Sequence, residues 1–220
     1  MSTVPARSVS GNRLVLYGVD WETYTRLLRA LDERPGVRLT YDRGTLEIVV
    51  PLLEHDSDAD FLGQLVRALT EELGLPIKSG GSVTLRRRRK QRGLEPDRCY
   101  WIANERHIRG KQRLDLRVDP PPDLAIEVDL TRSSLNRMNI YRALGVPEVW
   151  RLDEPALAFY ALGPKGTYEE RSPSPTFPQV APPELLRFLR LRDTEEENEI
   201  LRQFRAWIRQ RIAPQPPLTP

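Results

Sequence analysis

A chain of 220 residues, 39% hydrophobic and 30% charged, has the length for one domain with a sizeable core and the balance of a globular protein. Its 34 basic and 31 acidic residues give a net charge of only +3, too little by itself to argue for a nucleic-acid partner. The single Cys99 excludes an internal disulfide and a thiolate zinc cage, two histidines argue against a His-rich metal centre, and no run approaches the roughly 20 apolar residues of a membrane span.

Residues 1–10 lack the apolar core of a signal peptide, so a cytoplasmic protein without membrane contact is expected. Residues 1–14 read as a flexible end. A helix is predicted from Trp21, Tyr24, Leu27, Leu28 and Leu31, with Asp20 as its N-cap and Pro35-Gly36 as its stop. The β-rich runs Val37–Tyr41 and Thr45–Val50 flank Asp42-Arg43-Gly44 and predict a hairpin. Glu54–Leu73 carries Phe61, Leu62, Leu65, Val66 and Leu69 at helical spacing and ends at Gly74.

Pro76–Arg88 and Arg98–Ala103 read as strands, with a helical turn at Asn104–Lys111. Asp123–Asp129 reads as a buried strand. Ser134 is the expected cap of a helix through Ala143, stopped by Gly145. Two further strands, Glu148–Leu152 and Leu157–Leu162, precede a Pro-, Gly- and Ser-rich stretch, Gly163–Pro183, read as a loop. Helices follow at Glu184–Arg192 and Glu195–Arg211. In the second, Ile200, Leu201, Phe204 and Ile208 form an apolar face suited to the core or to a second copy of the chain. The expected organisation is an α/β domain over 15–192 with a mixed sheet flanked by helices, a C-terminal helix over 193–212 and a disordered tail over 213–220.

Two acids stand out. Asp97 sits at the mouth of a strand directly after Pro96, and Glu127 lies inside an apolar strand, where an unpartnered carboxylate is costly. Two acids at one height on adjacent strands suit a hard divalent cation, magnesium or manganese, that polarises a phosphate and activates water. An ion pair of Glu127 with Arg98 or Arg137 is the competing reading. Asp129 shares the face of Glu127 by the two-residue period of a strand, either as a third ligand or as a cap of the next turn. Asp123, at the strand start, fits a structural role better. The basic run at 86–92 (Arg88, Arg89, Lys90 and Arg92 among it) and the cations of 106–117, including Lys111, suit either a solvated face or a phosphate-backbone footprint. Trp101, Tyr141 and Trp150 read as core aromatics.

Pro96-Asp97 followed by Glu127-Val128-Asp129 resembles the PD-(D/E)XK nuclease signature. Four segments in order, Gly44–Pro51, Gly93–Ile102, Pro121–Asp129 and Tyr141–Trp150, extend the resemblance to the Uma-type restriction endonuclease family of bacteria, over roughly residues 15–190. The resemblance implies a restriction-endonuclease-like core and a magnesium site at Asp97 and Glu127. It also implies roles for Glu47 in the early hairpin and for His55 near the start of the following helix. The usual lysine would fall at 129, where this chain has Asp129, or four residues before Tyr141, where it has Arg137. An arginine can stabilise phosphate charge but is a poor proton acceptor.

Three readings follow: a metal-dependent DNA endonuclease, a nuclease-fold protein that binds nucleic acid without cleaving it, and an interaction module that pairs through its C-terminal helices.

Overall fold

The structure, a computed structural model, describes residues 6–8, 13–31, 36–50, 53–128, 133 and 135–212. Two six-stranded sheets organise it. The first is antiparallel throughout. Its strands β1 (Ala6–Ser8), β2 (Arg13–Leu16), β3 (Arg38–Asp42), β4 (Thr45–Val49), β6 (Leu85–Arg87) and β7 (Arg92–Leu94) lie in the order β1-β2-β4-β3-β7-β6. The second is mixed, ordered β12-β11-β10-β9-β8-β5. It comprises β5 (Lys78–Ser79), β8 (Arg98–Trp101), β9 (Leu124–Val128), β10 (Glu148–Asp153), β11 (Ala156–Leu162) and β12 (Tyr168–Arg171). Only β9 and β10 run parallel, joined through helix α4 (Arg137–Leu144), as a crossover connection requires.

The second sheet is buried on both faces, which is why β9 is apolar almost throughout. Leu124, Ile126 and Val128 face α2 (Leu53–Glu72), α5 (Pro182–Arg190) and α6 (Glu197–Ile212). Ala125 faces the opposite way, toward Ile140, Tyr141 and Leu144 of α4, and the two-residue period puts Glu127 on that same face. Ile200, Phe204 and Ile208 of α6 are buried in the cluster around α2, so the apolar face expected on the last helix docks on the core of its own chain.

The first sheet has its own core. Trp21 and Tyr24 of α1 (Trp21–Leu31) pack on Leu39, Tyr41 and Leu46, with Tyr24 and Tyr41 stacked at 4.7 Å. Asp20 caps α1 as expected, its carboxylate accepting the Thr23 N–H at 2.6 Å. In the hairpin turn Arg43 and Gly44 both have positive φ, which a hairpin turn closing β3 on β4 requires.

The structure departs from the sequence expectations in five places. Pro76–Arg88 is not one strand: β5 and β6 belong to different sheets, with a turn at Gly81 between them. Arg92–Leu94, given no element from the sequence, is strand β7. Arg88–Lys90 form a single 3-10 turn closing the β6–β7 hairpin. Part of the expected loose N-terminus, β1, pairs with β2. The helix expected from Ser134 is capped by Asn136, whose side chain accepts the Asn139 N–H at 3.0 Å; Ser134 itself lies outside the described residues, as does the tail over 213–220. The stretch read as a loop after Gly163 contains β12, an edge strand whose Tyr-Glu-Glu-Arg sequence lacks an apolar alternation. Charge on an edge strand is a common protection against pairing with other chains, and it masks the strand in the sequence.

Candidate active site

Asp97 and Glu127 are brought together. The antiparallel register of β8 and β9 pairs Arg98 with Ile126 and Cys99 with Ala125, so Asp97 stands opposite Glu127 one step beyond the ladder. The Asp97 carboxylate accepts the Val128 N–H at 2.7 Å and lies 3.1 Å from an Arg38 nitrogen. Asp97 is 2% exposed and Glu127 6%. Both acids are therefore held by rigid strands and shielded from bulk water.

Arg137 is the centre of the site. It donates to both Glu127 oxygens, Nε to Oε2 at 2.8 Å and Nη2 to Oε1 at 2.7 Å. It also donates to the Thr40 hydroxyl at 2.5 Å and the Glu95 carbonyl at 2.8 Å. These bonds take up four of its five N–H groups. The ion-pair reading of Glu127 thus holds for Arg137; Arg98 pairs instead with Asp60 at 3.0 Å. Burial works against the Arg137 charge, but the Glu127 carboxylate outweighs it and holds the guanidinium protonated. The Tyr141 hydroxyl donates to Glu127 Oε1, and burial together with the Glu127 charge raises its pKa well above that of a free phenol.

The hairpin of the first sheet forms the other wall. Leu39 and Tyr41 point into their own core, so Arg38 and Thr40 face the acids. Thr40 pairs in register with Glu47 on β4. Glu47 is buried; it accepts the Ser133 hydroxyl at 2.6 Å and lies 3.4 Å from the Arg13 Nε. Sequence reasoning missed Arg38, Thr40 and Arg13. The signal was present in the alternation Arg38-Leu39-Thr40-Tyr41-Asp42, a strand with one polar face and one apolar face.

Asp129 and the His55 side chain lie outside the described residues. Asp123 receives the Ile102 and Asn104 N–H groups and the Asn104 amide, so it ties the end of β8 to the start of β9. Among the expected DNA-binding cations, Arg92 pairs with Asp42 at 2.9 Å, Arg88 with Glu22 at 2.5 Å, and Lys111 with Asp119. Arg89 and Lys90 are exposed. Trp150 is buried against Phe159 and Phe177, and Trp101 against Cys99, as expected for core aromatics.

Among the described residues, no group of three or more His, Cys, Asp or Glu could hold a metal ion, and no helix is long and apolar enough to cross a membrane. The Asp97–Glu127 pair nonetheless has the donor chemistry of a hard cation, since magnesium commonly takes one or two carboxylates and fills its remaining positions with water and substrate. With Arg38 and Arg137 included, the four side chains carry no net charge.

The sequence profile of one family, described as a putative restriction endonuclease, matches residues 21–193. Among solved structures, the fold is similar to the crystal structure at 1.96 Å of a putative nuclease belonging to DUF820 from Anabaena variabilis ATCC 29413. That similarity has a TM-score of 0.51 at 16% sequence identity, and covers 69% of this chain and 90% of that one. No curated protein sequence matches the chain.

Proposed function

The chain belongs to the Uma2 family, described as putative restriction endonucleases, and from that premise we propose that it hydrolyses DNA phosphodiester bonds with the aid of a divalent cation at Asp97 and Glu127. The observation that carries this reading is the placement of two buried carboxylates, opposite each other in register, on adjacent strands of a nuclease-like sheet. Restriction-endonuclease-like families generally use divalent metals. When bound, magnesium or manganese would supply Lewis-acid polarisation of the phosphate and a water of lowered pKa.

The chain's own residues do the rest. Val128 and Arg38 fix the Asp97 carboxylate, and Arg137 with Tyr141 fixes that of Glu127. Arg137, locked between Glu127, Thr40 and the Glu95 carbonyl, presents fixed positive charge where a phosphate would gather negative charge. It stands where the resemblance places a lysine, and its function there is electrostatic, not proton transfer. Because the four charged groups already balance, a divalent cation is expected to enter together with the anionic phosphate. His55 and Asp129 remain in this proposal as further contributors to catalysis, as the family resemblance and the sequence suggest. A cytoplasmic setting suits the free Cys99, whose pKa burial pushes up to about 12.

The test is cleavage of plasmid and single-stranded DNA by the purified chain with magnesium or manganese, beside Asp97→Asn and Glu127→Gln. Loss of cleavage in both variants is the expected result. Cleavage that survives both overturns the assignment. A second reading has a specific observation behind it: both Glu127 oxygens are already satisfied by Arg137, as in a nuclease fold that retains DNA binding without turnover. Metal-independent DNA binding with no cleavage under any of these conditions selects it.

A further inference from the structure

Beside the acidic pair runs a cleft of about 520 Å³ between α1, the start of β3 and the segments around residues 82–86 and 112–114. Its rim carries three guanidinium groups, Arg29, Arg86 and Arg113, all exposed. None of the three has a carboxylate within salt-bridge distance among the described residues. Arg88, Arg92, Arg109, Lys111 and Arg117, on the neighbouring basic segments, all do. Three cations without an ion pair among the described residues therefore meet at the cleft.

The cleft also leads to the site. Glu95 lines it with its side chain, held by the Thr84 hydroxyl at 2.8 Å and the Leu39 N–H at 3.0 Å. Two residues on is Asp97. Arg38 lines the cleft as well, and its guanidinium bonds the Pro96 carbonyl at 3.0 Å and the Asp97 carboxylate at 3.1 Å. One arginine thus forms the wall shared by the cleft and the acidic pair.

We propose that this cleft binds the sugar-phosphate backbone of single-stranded DNA and leads it to Asp97 and Glu127. The charge of the described lining, four arginines against one glutamate, is complementary to a polyphosphate. The volume is that of a site for one small organic ligand, roughly 300–1,000 Å³, a size that suits a short stretch of a single strand. The described lining contains no aromatic ring on which bases could stack; Leu28, Leu31 and Leu114 supply only apolar contact. Binding is therefore electrostatic and tolerant of sequence.

The proposal rests on the reading of the chain as a DNA phosphodiesterase, and its test is separate from cleavage. The full-length chain is titrated, with EDTA and without divalent cations, into a fluorescein-labelled oligothymidylate and into a duplex of equal length, at several salt concentrations. Binding is read by anisotropy. The test variant is Arg29→Ala with Arg113→Ala, and the control is Arg89→Ala with Lys90→Ala, two exposed cations outside the cleft. Losing two phosphate contacts is expected to weaken single-strand binding about 25-fold at 0.1 M salt and to reduce the salt slope by about 1.4. The control should bind within about threefold of the unaltered chain.

Because Arg29 and Arg113 are exposed and make no ion pairs among the described residues, an unchanged melting temperature accompanies the expected result. Single-strand affinity and salt slope that do not change in the test variant overturn the proposal, and so does a larger loss in the control. Charge reversal, Arg29→Glu, guards against a small effect and should weaken binding further. A chain that binds through the cleft but never cleaves leaves this proposal standing and defeats the phosphodiesterase reading; one that cleaves but ignores the cleft variants does the reverse.

Discussion

Replacing Arg137 by methionine tests whether the site is built around a buried charge pair. Methionine keeps much of the side-chain length and deletes the guanidinium. The Glu127 carboxylate, 6% exposed, then retains the Tyr141 hydroxyl alone among the partners described. Two charge-assisted bonds of 2.7 and 2.8 Å vanish, each contributing on the order of 1.5–3 kcal/mol. The Thr40 and Glu95 contacts go with them. Removing one partner of a buried pair typically costs about 3–5 kcal/mol. The Arg137 side chain is 18% exposed, so water reaches the vacated space and the low end applies, about 3 kcal/mol. For a chain of this size that lowers the melting temperature by roughly 6–12 °C. Glu127→Gln combined with Arg137→Met leaves no unpaired charge and should cost about 1 kcal/mol, a coupling of about 2 kcal/mol or more. Urea titration of the four proteins measures it. Magnesium supplies a second arm: a cation at Asp97 and Glu127 would replace the lost charge, so the ion should raise the melting temperature of Arg137→Met more than that of the unaltered chain. An Arg137→Met protein within about 1 kcal/mol of the unaltered chain, or single costs that add in the double variant, would refute the reasoning.

Two further outcomes follow from the structure. Burial raises the pKa of Glu95 above its ordinary value, against the lowering effects of Thr84, Leu39 and Arg38. A raised folded-state pKa means that this group's stabilisation is complete below the unfolded value, about 4.3, and is lost as pH rises through the folded value. Glu95→Gln imitates the protonated acid, with its carbonyl accepting the Leu39 N–H and its amide donating to Thr84. Its melting temperature should match the unaltered chain near pH 4 and exceed it at pH 7; a gap that shrinks as pH rises contradicts the assignment. In α2, a methyl group added at Gly63 would lie 2.5 Å from the hydroxyl of Tyr100, which is 3% exposed. Gly63→Ala should therefore destabilise by up to about 2 kcal/mol, because overpacking at about 1–3 kcal/mol outweighs the helix-propensity gain of about 1. Tyr100→Phe in the same chain should restore most of the loss in a thermal melt.

The acidic pair was legible because its signals are local. Pro96 before Asp97 and apolar residues around Glu127 mark two strand positions, and adjacent pairing brings them level. The main helices were legible for the same reason: Asp20 caps α1, Gly145 ends α4 with positive φ, and the apolar faces repeat at helical spacing. What escaped depends on contacts between distant segments. Arg38 meets Asp97 across 59 positions of sequence, and Arg137 meets Thr40 across 97. Glu148, otherwise an ordinary strand residue, is buried because the Trp150 indole and the Ser174 and Thr176 hydroxyls converge on it. Nothing local announces such meetings. Apart from its β3–β4 hairpin, the first sheet was similarly hidden, its other strands being three or four residues long and each carrying arginine.

Those long-range contacts change what the charge pattern means. In the sequence, the run at 86–92 is the densest basic feature and the natural candidate for a DNA footprint. In the fold, the hairpin that carries it turns part of that charge inward or onto acidic partners, with Arg92 on Asp42 and Arg88 on Glu22. A phosphate contact gains most from a cation with no carboxylate to displace, because the exchange otherwise trades one ion pair for another. By that criterion Arg29, on α1 and outside the basic runs, is a better phosphate partner than Arg92. It also stands at the cleft that Arg38 joins to Asp97. The density of charge along a chain is thus a weaker guide to a nucleic-acid surface than the balance of charge left after the fold has made its own pairs.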